Sequence, residues 1–222
     1  KRPGERGATM IRECQMTLGE LERATGSARI KQGQSSVVAA CYGPLGSYGT
    51  KEAEKQPRGC TINVTIKQSE ANVSVLQLNA SYEQRIKRIL DRQIRKKEYE
   101  QKTINIIIQI IENDGSIEAV MVNAVTLALM DANISIVSPF LGITLTREGA
   151  LDPEAAEEAT SAGQVTMVMD PISTAIVSME PSMTNPFVKT YWLSNTKLID
   201  MARMTIPTLH AMIRRVMEHE FV

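Results

Sequence analysis

Residues 116–131 read as a helix without a polar face: nearly every position between Ser116 and Asp131 is apolar. The turn Asn113-Asp114-Gly115 leads into it, and Ser116 is placed to cap its first turn. A helix that is apolar on all sides belongs in the interior of a fold. The chain has 222 residues, long enough to bury a sizeable core. Its 43% hydrophobic and 23% charged residues describe globular material and not a disordered chain. No tandem repeat or Gly/Ser/Pro-rich linker divides it, so a single domain over residues 1–222 is the simplest organisation.

Several protein classes are excluded early. The apolar runs, such as Ile106-Ile107-Ile108, are too short to span a bilayer, and no N-terminal segment reads as a signal peptide. Cys14, Cys41 and Cys60 are odd in number and share no metal-ligand spacing, which fits a reducing intracellular compartment. With only His210 and His219, a histidine-rich metal site is not available. Basic and acidic residues both count 25, so any basic site must be local. One such site exists: between Tyr82 and Lys102 eight basic residues stand against four acids. From Arg147 to Thr160 the sign reverses, with Glu148, Asp152, Glu154, Glu157 and Glu158 against one Arg, which suggests a solvated acidic loop.

The elements fall in runs. Residues 16–22 and 28–31 read as strands flanking Ala24-Thr25-Gly26-Ser27, with Gly26 supplying a positive φ for the hairpin. Further strands are expected at 36–42, ended by Gly43-Pro44, and at 60–67, where Ile62, Val64 and Ile66 alternate with polar residues. Tyr82, Ile86, Ile89, Leu90 and Ile94 mark one face of a helix reaching Tyr99. Arg85, Arg88, Arg92, Arg95 and Lys96 form a basic stripe beside it, with Arg88–Asp91 or Asp91–Arg95 as possible internal pairs. The β-branched run 103–111 suits a central strand. Strands at 140–146, 165–169 and 174–179 follow, the last two as a hairpin. A helix capped by Asn195 or Thr196 runs to about Glu220, with a kink expected at Pro207. This order is mixed α+β. The methionines of the last helix (Met201, Met204, Met212, Met217) suit core or interface gaps, and Tyr191 and Trp192 suit packed aromatic positions.

At this point a set of motifs resembles the RNase PH family. Leu21-Glu22-Arg23-Ala24-Thr25-Gly26-Ser27-Ala28, then Gln32-Gly33 and the run from Val37 to Gly43-Pro44, resembles the family's opening strands. Arg2-Pro3-Gly4-Glu5-Arg6 is similar to a degraded form of its start. The stretch from Asn123 to Asp131-Ala132 resembles its buried helix, and Leu151-Asp152-Pro153 with Glu157-Glu158 its acidic segment. The resemblance implies the RNase PH fold, a ribosomal-protein-S5-domain-2-like arrangement of β-sheets and helices. It also implies six-membered rings around an RNA channel and, in active members, attack of inorganic phosphate on a 3′-terminal phosphodiester.

The departures bear on function. Where the family's phosphate loop carries an Arg, this chain reads Gly115-Ser116-Ile117-Glu118, with no Arg or Lys between Asn113 and Met130. The family's arginines ahead of the basic helix fall at Asn79 and Tyr82, and its two active-site aspartates fall at Glu158 and Gln164. An amide cannot take a proton, and Glu118 sets negative charge where phosphate would sit. The resemblance therefore implies a non-catalytic RNase PH-type subunit of the eukaryotic RNA exosome, without a cofactor or metal. Its partners would be other RNase PH-type subunits in a hetero-oligomeric ring, and RNA held by the basic stripe. Its location would be the nucleus and nucleolus, and also the cytoplasm. The alternative is a homodimer that binds RNA or DNA, or a residual metal-dependent nuclease using Asp131 or Glu158. In either case no membrane is involved.

Overall fold

The computed structural model describes residues 6–46, 59–68, 73–181 and 195–220. Residues 2–5 of the N-terminal motif, most of the 46–59 loop, and Tyr191 and Trp192 lie outside the described residues. Strands β1 (Cys14–Leu18), β2 (Gly26–Gln32) and β3 (Ser35–Gly46) form an antiparallel meander. Next, β3 pairs antiparallel with β5 (Lys102–Glu112), and β4 (Thr61–Gln68) lies parallel to β5 at the far edge. Two parallel strands cannot be joined by a tight turn. Helix α1 (Val73–Gln93) provides the crossover, burying Ile86, Ile89 and Leu90. Among the described residues, a second sheet holds β6 (Leu141–Thr146), β7 (Gln164–Met169) and β8 (Ile176–Pro181), all antiparallel.

Helix α2 (Ile117–Asp131) lies between the two sheets, touching β2 and β3 on one side and β6 and β7 on the other. This explains its apolar circumference: thirteen of its fifteen residues are buried. Its two central polar side chains serve the second sheet. Asn123 donates to the Gly142 carbonyl at 3.1 Å and accepts the Gly142 N–H at 2.7 Å. Thr126 donates to the Phe140 carbonyl at 2.6 Å. The short helix α3 (Ala155–Thr160) follows β6, and α4 (Thr196–Glu220) packs on β6. Among the described residues, no helix is long and apolar enough to cross a membrane.

The architecture is the α+β arrangement expected, with differences of physical interest. Strand β1 ends at Leu18 rather than Glu22, and α1 ends at Gln93 rather than Tyr99. The chain leaves α1 because Ile94 bridges to Ile136 and Arg95 donates its N–H to the Ser135 carbonyl. A separate 3-10 turn covers Lys96–Tyr99. Consequently Arg95 and Lys96 are not on the α1 face that carries Arg85, Arg88 and Arg92. Ser116 does not cap α2 with its side chain: it sits in the left-handed region (φ 53) and its hydroxyl donates to the Pro153 carbonyl at 2.9 Å. The acidic stretch is not a loop but holds α3, whose first turn is closed by a reciprocal capping box between Glu154 and Glu157. Helix α4 runs unbroken through Pro207. The three cysteines are free thiols, and burial pushes those of Cys14 and Cys41 up to about 12.

Gly26 differs most instructively. It does not supply a positive φ; it allows close approach. A Cβ there would lie 2.2 Å from the Ala132 nitrogen and 2.7 Å from the Ala128 carbonyl, at the end of α2. Beside it, the Ser27 N–H donates to Asp131 Oδ2 at 2.7 Å. The Gly26-Ser27 and Asp131-Ala132 pairs are thus one joint between strand and helix. Because the neighbouring atoms are backbone, Gly26→Ala is expected to destabilise the fold by about 2 kcal/mol or more. Urea unfolding of the variant beside the parent chain measures it.

Candidate functional site

The N-terminal end of α2 opens on a small cleft of about 60 Å³, lined by Leu78, Tyr82, Arg85, Ser116, Ile117, Glu118, Thr144, Glu158, Gln164 and Thr166. Four segments distant in sequence meet here: α1, the first turn of α2, the β6–β7 pair and α3. Of the positions singled out from the sequence, Tyr82, Ser116, Ile117, Glu118, Glu158 and Gln164 share this cavity, whereas Asn79, buried on α1, does not line it. Gly115 holds the turn beside it. At φ 83 it occupies a conformation suited to glycine, and a Cβ would lie 2.5 Å from the Pro153 carbonyl.

Among the described residues, Arg85 is the one cationic side chain lining the cleft, and Glu118 faces it at 3.2 Å. Both are largely buried, with side-chain exposures of 15% and 10%. Burial pushes the Glu118 carboxyl up to about 7, against the opposing pull of Arg85 and the Thr166 hydroxyl. Glu158 accepts the Ser116 N–H at 2.7 Å. Its carboxyl is also raised by burial, against the Ser116 N–H and the Gln164 side chain that hold its charged form. Tyr82 is driven up to about 12, first by burial and then by the charges of Glu118 and Glu158. The backbone donor at the helix start and the single guanidinium are thus both engaged by carboxylates of the same chain.

A second ionic unit, not found from the sequence, positions these parts. Arg12 is 5% exposed and Asp152 1%. The guanidinium grips both Asp152 oxygens, at 3.0 Å and 2.7 Å, while the Arg12 N–H donates to the same carboxylate at 2.8 Å. Its remaining donors reach the Asp114 and Gly115 carbonyls at 2.7 Å and 3.1 Å. Burial alone would raise the Asp152 carboxyl, but Arg12 outweighs it and holds it below the ordinary range. Arg6 adds a 2.8 Å pair with Glu154. Together these contacts fix the 113–116 turn against the start of α3, which delivers Glu158 to the Ser116 N–H. No local pattern marks Arg12, a lone Arg 140 residues from its partner.

The other proposed site residues disperse. Asp131 lies at the opposite end of α2, ~20 Å from the cleft by helix rise, and serves the Ser27 N–H. It does not converge with Glu158, and among the described residues no group of three or more His, Cys, Asp or Glu is placed to hold a metal ion. The basic stripe divides. Arg85 turns into the cleft; Arg88 stays 62% exposed, 3.8 Å from Glu180. Lys96 pairs with Asp91 at 2.8 Å, and Arg95 lies 4.0 Å from Glu98. The pairs expected within the helix, Arg88–Asp91 and Asp91–Arg95, are replaced by these. Arg92 is exposed.

Residues 10–135 match the family model described as the 3′ exoribonuclease family, domain 1. That is more than half of the chain, which belongs to this RNase PH family. Among curated relatives, the Exosome complex component RRP46 homolog of Caenorhabditis elegans is 29% identical over 161 residues, 71% of this chain and 72% of the relative. The Exosome complex exonuclease RRP46 homolog of Oryza sativa subsp. japonica is 32% identical over 157 residues, 69% of this chain and 64% of the relative. This match therefore spans just under two thirds of the rice protein. Among solved structures, rice Rrp46 superposes with a TM-score of 0.82 at 24% identity, covering 96% of this chain and 98% of that one. A chain of the Archaeoglobus fulgidus exosome with RNA bound to the active site gives 0.76 at 17% identity, covering 93% and 90%. At these identities the likeness establishes the fold.

Removing one partner of a buried ion pair leaves an uncompensated charge. Arg12→Met is expected to cost about 3–5 kcal/mol, and Arg12→Met with Asp152→Asn clearly less than that. Chemical denaturation of the single and double variants checks both.

Proposed function

We propose that this chain, as one RNase PH-like domain over residues 1–222, is a non-phosphorolytic RNase PH-type subunit of an RNA exosome. It supports 3′-to-5′ RNA processing and degradation by completing a ring with other RNase PH-type subunits and threading RNA toward a separate nuclease. The relatives named as exosome components, and the superposition on exosome chains, support the assembly. The loss of phosphorolysis rests on a single observation: carboxylates of the chain itself engage two of the cleft's anion donors, Glu118 on Arg85 and Glu158 on the Ser116 N–H. Phosphorolysis brings an anionic attacker to an anionic ester, so it depends on donors left open for phosphate. Here those donors are taken, and an incoming phosphate would meet like charge.

RNA contact is assigned to Arg88 and Arg92 on α1 and to Arg95 and Lys96 just beyond its end, all exposed or half-exposed, and is withdrawn from Arg85. Each phosphate neutralised there releases counterions, so retention should weaken steeply with salt. The protein would work in the nucleus and nucleolus, and also in the cytoplasm.

The test incubates the purified chain with single-stranded RNA, with and without inorganic phosphate, and with Mg²⁺ or EDTA. The expected result is no shortened RNA in any condition, and weaker RNA retention after the double change Arg88→Ala and Arg92→Ala. Release of nucleoside diphosphates that requires phosphate would overturn the reading, and shortening that requires only Mg²⁺ would replace it with hydrolysis.

A further inference from the structure

Two ion pairs near the start of α2, one behind the 113–116 turn and one lining the cleft, are of unequal character. Arg12–Asp152 is deeply buried, bidentate and tied to backbone on every side. Arg85–Glu118 is looser: Arg85 Nη1 lies 3.2 Å from one Glu118 oxygen and 3.5 Å from the other, at the mouth of an existing cavity. We propose that Arg85–Glu118 is a latch, and that neutralising Glu118 turns the cleft into a site for a small oxyanion, held by the Arg85 guanidinium and the Thr144 and Thr166 hydroxyls. The inference rests on the proposed reading that the cleft is closed to phosphate, and names what keeps it closed.

The geometry carries this in three steps. Among the described residues Arg85 is the only lining cation, so a donor fork suited to an oxyanion is already in place. Among them too, Glu118 is the only carboxylate with a direct ion-pair distance to it. The hydroxyls of Thr144 and Thr166 lie 3.3 Å apart across the same cavity, and each can donate once a stronger acceptor arrives.

The groups that face Glu118 decide the direction of any pH effect. From α1 come Arg85 and Tyr82, from α3 Glu158, and from β8 Glu180, itself near Arg88. Burial, and after it Glu180, favour the neutral acid; Arg85 and the Thr166 hydroxyl favour the charged carboxylate. Burial prevails, and the Glu118 carboxyl titrates at about 7, above its ordinary value. Glu118 is therefore neutral below that pH and charged above it. Burial raises the Glu158 carboxyl in the same direction, and acidification through the Glu118 range removes the negative charge that faces Arg85. The guanidinium, always charged, is then left without its counter-ion.

The experiment uses sulfate, whose charge does not change over the range, as the probe in titration calorimetry. The proteins are the parent chain, Glu118→Gln, and the neutral pair Arg85→Gln with Glu118→Gln, each checked for folding by circular dichroism. The parent chain is expected to bind sulfate up to about tenfold more tightly near pH 5.5 than near pH 8, the ceiling for one protonation. Glu118→Gln should bind near pH 8 as the parent does near pH 5.5, and the neutral pair should bind at neither pH. A folded Glu118→Gln that takes no sulfate at either pH, with a parent that also takes none, would overturn the latch and leave the proposed function standing. A parent chain that binds equally at both pH values would overturn the latch and the closed-cleft reading together.

Discussion

Everything in this fold answers to one constraint, that α2 has no side it can show to water. Two sheets cover it, and each supplies partners at its backbone: Gly26 and Ser27 at the helix end, Gly142 and Phe140 along its flank. Because both flanks are packed, only the ends of α2 remain available. The C-terminal end is taken up by the joint with β2. The N-terminal end, with its orphan N–H groups and positive partial charge, is where an anion is most welcome.

In this chain that welcome is answered from within. Glu158, brought by α3, meets the Ser116 N–H, and Glu118 meets Arg85. The two ion pairs near the cleft have opposite consequences. Arg12–Asp152 is satisfied by hydrogen bonds on both partners, which makes it a structural clamp whose loss would release the 113–116 turn. Arg85–Glu118 is less well fixed, and its carboxyl sits near the balance between burial and the guanidinium. A cleft closed by the second pair is electrostatically poised, whereas one closed by the first would be inert.

Much of this was legible in the sequence. Periodicity located α2, β4, β5 and the buried face of α1, because each buries a regular stripe whatever surrounds it. Ordered motifs gave the family, and the substitutions at Ile117, Glu118 and Gln164 pointed to one altered site that the structure does gather. What failed depended on distance in space. The role of Gly26 is a contact with Ala132, and Asp131 serves that same joint, so neither reads correctly from its neighbours in sequence. Arg12 shows no local signature. The basic stripe was drawn on a helix that ends at Gln93, because charged residues keep helical spacing past the point where Ile94 pairs with Ile136. The acidic stretch looked solvated because its partners, Arg6 and Arg12, lie at the other end of the chain.

If the chain's own carboxylates fill the anion position at the start of α2, a crystal of the protein grown from phosphate near pH 8 will show it. At that pH the Glu118 carboxyl should be charged, because its raised pKa of about 7 lies below it. The expected result is the Glu158 carboxylate on the Ser116 N–H, Glu118 on Arg85, and no anion between them. Phosphate bound to Arg85 and the Ser116 N–H, with either glutamate displaced, would contradict it.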